Sequence, residues 1–210
     1  LDVPVCALLT LGLIGDEKVV PTLVEWLAQG RAGENRLSDL ERAWVISALG
    51  KIGSADALAA IRGTLKTKDL SAKRSAAIAI GQIAPAAGGD TPLECAKVLA
   101  RLYDAEKDQT TRNFAMISLG RIGGDARVTA ETRATVTAFL KRTFHKSSRV
   151  TERPFVALAM GLVGLDGAQR KPAALKEELA QILRKDLTAM KGDKIALGAQ
   201  AIALGMLGDK

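Results

Sequence analysis

Aromatic side chains are scarce in this sequence: seven among 210 residues, or 3%, namely Trp26, Trp44, Tyr103, Phe114, Phe139, Phe144 and Phe155. A sandwich of antiparallel sheets draws heavily on aromatic and β-branched residues, so this shortage argues against one and for closely packed helices rich in Ala, Leu and Gly. Cysteine is represented only by Cys6 and Cys95, far apart and each within an apolar helical pattern, which reads as two small buried hydrophobes and not a disulfide framework. Histidine occurs once, as His145. A metal cage built of several histidines is therefore excluded, as is any Ser-His-Asp relay that does not use His145. No apolar run reaches the roughly 18 residues that a membrane span requires. Disorder is excluded from the other direction, because 48% of the residues are hydrophobic and mean hydropathy is +0.11.

Charge is spread unevenly along the chain. Residues 1–40 carry three basic and six acidic side chains, whereas residues 141–194 carry twelve basic and six acidic ones, within a total of +7 and an isoelectric point near 9.6. Such a balance permits attraction to nucleic acid or to an acidic protein without demanding either. The chain opens on Leu1 with no basic segment leading into an apolar stretch, so no targeting sequence is read in it. Compartment is left open.

What the sequence does contain is repetition. One phrase occurs six times: Thr10-Leu-Gly-Leu-Ile-Gly15, Ala48-Leu-Gly-Lys-Ile-Gly53, Ala79-Ile-Gly-Gln-Ile-Ala84, Ser118-Leu-Gly-Arg-Ile-Gly123, Ala159-Met-Gly-Leu-Val-Gly164 and Ala203-Leu-Gly-Met-Leu-Gly208. The central glycines, Gly12, Gly50, Gly81, Gly120, Gly161 and Gly205, are 38, 31, 39, 41 and 44 residues apart, the period of a helical hairpin. Apolar or small residues one, four and five places before each central glycine predict that the phrase ends a helix. A glycine inside a helix costs about 1 kcal/mol relative to alanine. The expected compensation is close approach of a neighbouring helix backbone, with every first helix stacked on the next. The glycine three residues later suits a left-handed helix cap.

A second helical stripe follows each turn. Asp16 caps a stripe through Val20, Leu23 and Leu27, and Ser54 one through Leu58, Ile61 and Leu65. Thr91-Pro92-Leu93-Glu94 and Ser38-Asp39-Leu40-Glu41 read as capping boxes. Longer joints are expected near Gly30 to Arg36, Ala84 to Asp90 and Gly164 to Arg170.

These phrases resemble the HEAT repeats, in particular the shorter kind first noted in phycobilin lyases, whose first helix typically ends in Ala-Leu-Gly-x-Ile-Gly-Asp. Gly15-Asp16 and Gly208-Asp209 keep the acidic residue, and Gly164-Leu165-Asp166 nearly does. The resemblance spans almost the whole chain and implies an all-α, right-handed α-solenoid of about five to six helical hairpins. The expected units are residues 1–36, 37–69, 70–107, 108–147, 148–191 and an incomplete 192–210, within a longer protein. A sixth unit without its second helix would leave an apolar face bare, open to self-association through a repeat end.

Fold does not choose a function. Metal-dependent hydroxylases of this architecture use His-Glu pairs, which a lone His145 in the basic stretch Lys141 to Arg149 does not provide. His145 reads instead as part of a solvated helix terminus. No catalytic residue, metal or cofactor is assigned. Arg42, Lys73, Arg112 and Arg153 each stand eight residues before a central glycine, so stacking would align them in a basic column. Phosphate binding is one reading of it. The favoured one lays the aliphatic stems over the core, with the heads paired to Asp39, Asp69 and Asp108; Arg149 replaces the acid in the fourth unit. Trp44, Phe114 and Phe155 share a register six before the glycine and read as packing between units, over the alternative of an aromatic platform.

In HEAT-like arrays second helices line the concave surface, so the resemblance implies Trp26, Arg62, Lys97, Arg101, Lys141 and Lys176 as candidate contacts. The first functional reading is a non-enzymatic scaffold offering a curved, partly basic surface to another protein. The alternative is nucleic-acid binding, with a base-excision activity such as HEAT-like DNA glycosylases have. A tetrapyrrole lyase is a third reading, resting on repeat type alone.

Overall fold

The computed structural model describes residues 3–147, 151–165, 172–189 and 194–209. Within them the chain is a series of paired helices. The first members of the pairs are α1 (Val3–Ile14), α3 (Asp39–Ile52), α5 (Leu70–Ile83), α7 (Gln109–Gly124), α9 (Arg153–Gly164) and α11 (Lys194–Leu207). The second members are α2 (Val20–Gln29), α4 (Leu58–Thr64), α6 (Thr91–Ala105), α8 (Ala130–Lys146) and α10 (Ala173–Ala189). Each first helix packs most extensively on the first helix of the neighbouring pair, from α1 through α11. The second helices pack against them from one side: α6 on α7, for example, and α8 on both α7 and α9. The result is an all-α solenoid. Its accessible surface, 10924 Å² for 22.1 kDa, exceeds the roughly 9,300 Å² expected of a compact monomer of that mass.

The core is one continuous seam between the two rows of helices. First helices contribute Ile46, Leu49, Ile80, Ile83, Met116, Leu119, Ile122 and Met160, and second helices Leu23, Ile61, Leu99 and Leu140, all fully buried. No hairpin could hide this surface alone, because the covering atoms come from its neighbours.

Five of the six central glycines lie where the phrase of the following unit comes closest. A Cβ built on Gly12 would stand 3.0 Å from the Cα of Ala48, one on Gly50 3.0 Å from that of Ala79, and one on Gly81 2.8 Å from that of Ser118. For Gly120 and Ala159 the distance is 2.7 Å, and for Gly161 and Ala203 it is 2.9 Å. The backbone met in each case is that of the small residue that opens the next phrase. Gly205 differs, having open space where its Cβ would be.

The cap expectation holds at Gly15, Gly53 and Gly208, whose φ angles of 72°, 85° and 77° are left-handed. It fails at Gly123 and Gly164. Both remain helical, and both are closely approached: a Cβ on Gly123 would meet Val136 and Val163, and one on Gly164 would meet Leu207. Ala84 likewise stays right-handed and leads into a 3-10 turn.

Among the caps, Ser38 and Glu41 form the reciprocal box and Asp16 accepts from the Lys18 amide. Ser54 makes no side-chain cap bond, and α6 starts at Thr91 itself, so the Thr91 box does not form. Cys95 is buried as expected, but Cys6 is exposed on the outer side of α1, which has no earlier helix against it among the described residues. The joint after Gly30 closes as a two-stranded ribbon, Arg31–Ala32 against Asn35–Arg36, and the one after Ala84 turns through left-handed Gly88 and Gly89. Arg149 and the joint beyond Leu165 lie outside the described residues.

Candidate protein-binding surface

Two sets of basic residues compete for a functional role, and geometry separates them. The first is the column on the first helices. Arg42 reaches Asp69 at 3.4 Å, Lys73 reaches Glu106 at 2.7 Å, Arg112 reaches Glu152 at 2.8 Å and Arg153 reaches Asp186 at 2.9 Å. Arg74 adds a bidentate pair to Asp108, at 3.1 and 2.9 Å. Every acid but Asp186 sits at the entrance to the following first helix: Asp69 and Asp108 cap α5 and α7, Glu106 precedes α7, and Glu152 precedes α9. Apart from Arg153, whose partner is on the second helix of its own pair, the column thus ties each first helix to the entrance of the next.

The expected partners were displaced by one repeat. Asp39 does lie 3.5 Å from Arg42, but Asp69 turns to Arg42 instead of Lys73, and Asp108 to Arg74 instead of Arg112. An acid fixed at a helix N-terminus by its own cap bonds is held for a guanidinium reaching over from the preceding unit.

Electrostatics follow this arrangement. The Arg74 guanidinium, helped by the Thr111 hydroxyl and amide, holds the Asp108 carboxyl far below the usual carboxylate range. The Lys73 ammonium and the amides of Asp108 and Lys107 lower that of Glu106. Arg112 additionally lies over the Tyr103 ring, 4.3 Å from its centroid. Burial pushes the Tyr103 hydroxyl up, with a hydrogen bond from Arg112 opposing it. Burial also raises the Cys95 thiol, the reverse of what activates a nucleophile.

The second set is on the second helices. Trp26 is half-buried, its ring part of the α2 core contact. Arg62 on α4 lies 3.5 Å from Glu94 on α6, both side chains well exposed. Lys97 and Arg101 project from α6 into solvent, and neither has a carboxylate partner among the described residues. Lys141 on α8 pairs with Glu178 on α10 beside a cleft of about 340 Å³ that Arg133, Thr137 and Leu175 also line. Lys176 is half-buried on α10. Of the six, the structure brings Arg62 and Arg101 together, across a groove of about 580 Å³ between α4 and α6. His145 is exposed in the last turn of α8, its ring edge-on to Phe144. Trp44, Phe114 and Phe155 are half-buried, the first two packed on the core.

Residues 34–120 match the family profile of HEAT repeats. The matched segment covers less than half of the chain. It runs from the ribbon before α3 through most of α7, and so includes the groove, Gly50, Gly81 and Gly120. HEAT repeats generally act as protein-interaction scaffolds. No curated protein matches the chain. No described helix is long and apolar enough to cross a membrane, and among the described residues no three His, Cys, Asp or Glu side chains are grouped to hold a metal.

Sequence reasoning missed part of the groove wall, namely Gly63, Leu65, Lys66, Val98 and Leu102. The apolar stripe Leu58, Ile61, Leu65 was read as helical throughout, whereas α4 ends at Thr64 with Leu65 as its cap. Gly63-Thr64 in its last turn was the available signal.

Proposed function

We propose that this chain is a non-catalytic scaffold that binds another protein across its second helices, with Trp26, Arg62, Lys97, Arg101, Lys141 and Lys176 on the contact surface. The observation that carries this reading is how differently the two sets of cations are used. Arg42, Lys73, Arg74, Arg112 and Arg153 are each paired with a carboxylate elsewhere in the array, whereas Lys97 and Arg101 are exposed and have no such partner among the described residues. A cation already paired at 2.7–3.4 Å within the chain has little to gain from an external anion. An exposed one keeps its full attraction for a partner and raises the rate of encounter.

The second helices of such arrays line the concave side, which would make the contact surface curved. The likeness to the shorter, phycobilin-lyase type of repeat supplies no substrate. A catalytic reading has less support still: Cys95 is buried with a raised thiol, and His145 stands on an exposed helix end.

A photo-crosslinking amino acid placed at position 97, on the second-helix row, and at position 51, at the end of α3, tests the reading in cells that make the protein. Protein adducts concentrated at position 97 are expected. Nuclease-sensitive adducts there, or equal protein labelling from both positions, would overturn it.

A further inference from the structure

The groove between α4 and α6 is one of two places, with the gap between α8 and α10, where the stacking of second helices lapses. α6 packs on α8, and α2 touches α4, but the backbones of α4 and α6 stay largely apart. The reason is local. α4 is only seven residues long, and the chain leaves it through Leu65 and Lys66, so the fifteen-residue α6 has no full-length neighbour on that side. The space left is about 580 Å³, within the range of ligand-binding clefts.

Its lining falls into two parts. The half-buried side chains of Leu65, Val98 and Leu102 form an apolar floor, while Arg62, Lys66 and Arg101 stand around it. No carboxylate belongs to the lining. Of these cations Arg62 contacts Glu94, at 3.5 Å and partly exposed, an ion pair readily exchanged for another carboxylate. Lys66 and Arg101 have no carboxylate partner among the described residues. A polyanion such as nucleic acid would use the cations and leave the floor wet. An acidic peptide with a large apolar side chain would use both.

We propose that this groove docks an acidic segment of a protein partner, seating an apolar side chain on Leu65, Val98 and Leu102 and its carboxylates on Arg62, Lys66 and Arg101. The assignment rests on the scaffold reading above and narrows it to one pocket and one class of partner.

Gly63 offers a way to close the groove without harming the fold. It is helical, and a Cβ there would meet nothing within 4 Å, so Gly63→Leu fills the groove from its wall while improving helix propensity. The test measures fluorescence anisotropy on the full chain with three probes: a peptide of Glu and Asp residues interspersed with Leu, the same peptide with Ser for Leu, and a short DNA duplex. Binding of the Leu peptide about tenfold tighter than either other probe is expected. Gly63→Leu, and Lys66→Glu with Arg101→Glu, should each weaken it about tenfold at unchanged helical signal.

Equal binding of all three probes, no effect of Gly63→Leu, or no binding at low salt would overturn the proposal. Protein adducts at position 97 that persist in Gly63→Leu, alongside peptide binding that the variant does not alter, would remove the groove and leave the scaffold. Nucleic-acid adducts at that position would remove both.

Discussion

Arg74 grips Asp108 with two hydrogen bonds, and Asp108 is at the same time the residue that starts the next helix, accepting from the amide and hydroxyl of Thr111. One carboxylate therefore ends a loop, caps α7 and ties two units together. These four bonds hold its carboxyl well below the ordinary carboxylate range.

The pH dependence follows in sign from that depression. Because the folded carboxyl titrates well below its ordinary 3.8, the pair's stabilisation is complete above about pH 4 and is lost as pH falls through the depressed value. Arg74→Met should move the acid-unfolding midpoint to higher pH, followed by helical circular dichroism. A midpoint that stays put would mean the pair adds nothing beyond the local cap.

Arg112 should prove structural when removed. It pairs with Glu152, which is 5% exposed, and covers the Tyr103 ring. Arg112→Ala takes away the cation that balances a buried carboxylate and should cost about 2 kcal/mol in urea unfolding. Unchanged stability accompanied by lost anion binding would restore the phosphate-binding reading of the column.

The two serines that read alike as caps should respond differently. Ser38→Ala breaks a capping box formed on both sides and should cost about 1 kcal/mol. Ser54→Ala removes a hydroxyl that makes no cap bond and should stay within about 0.5 kcal/mol. Equal losses would show that the side-chain cap is not what distinguishes them.

The repeat was legible because its cause is strictly local in register. A small residue, an apolar one and a glycine recur wherever one backbone must reach another, so the close approach seen at five of the six central glycines was expected from spacing, though not the residues met, and Gly205 does not share it. Partners across units could not. Asp69 and Asp108 lie near Lys73 and Arg112 in sequence, but the geometry of stacking carries them to Arg42 and Arg74. Gly123 and Gly164 were read as turn residues because turn glycines and contact glycines look the same in a string; only the helices beside them tell the two apart. The groove depended on where α4 stops, at Thr64, just before the last residue of its apolar stripe.

The central claim is that first helices are held together at points where only a missing side chain permits contact. Gly120→Ala and Gly205→Ala test it with the same chemical change in the same phrase. At Gly120 the new methyl meets the backbone of Ala159 at 2.7–2.8 Å, whereas at Gly205 it meets nothing. Thermal and urea unfolding should show Gly120→Ala destabilised by about 1–3 kcal/mol and Gly205→Ala stabilised by up to about 1 kcal/mol. Equal effects of one sign at both positions would contradict the stacking account.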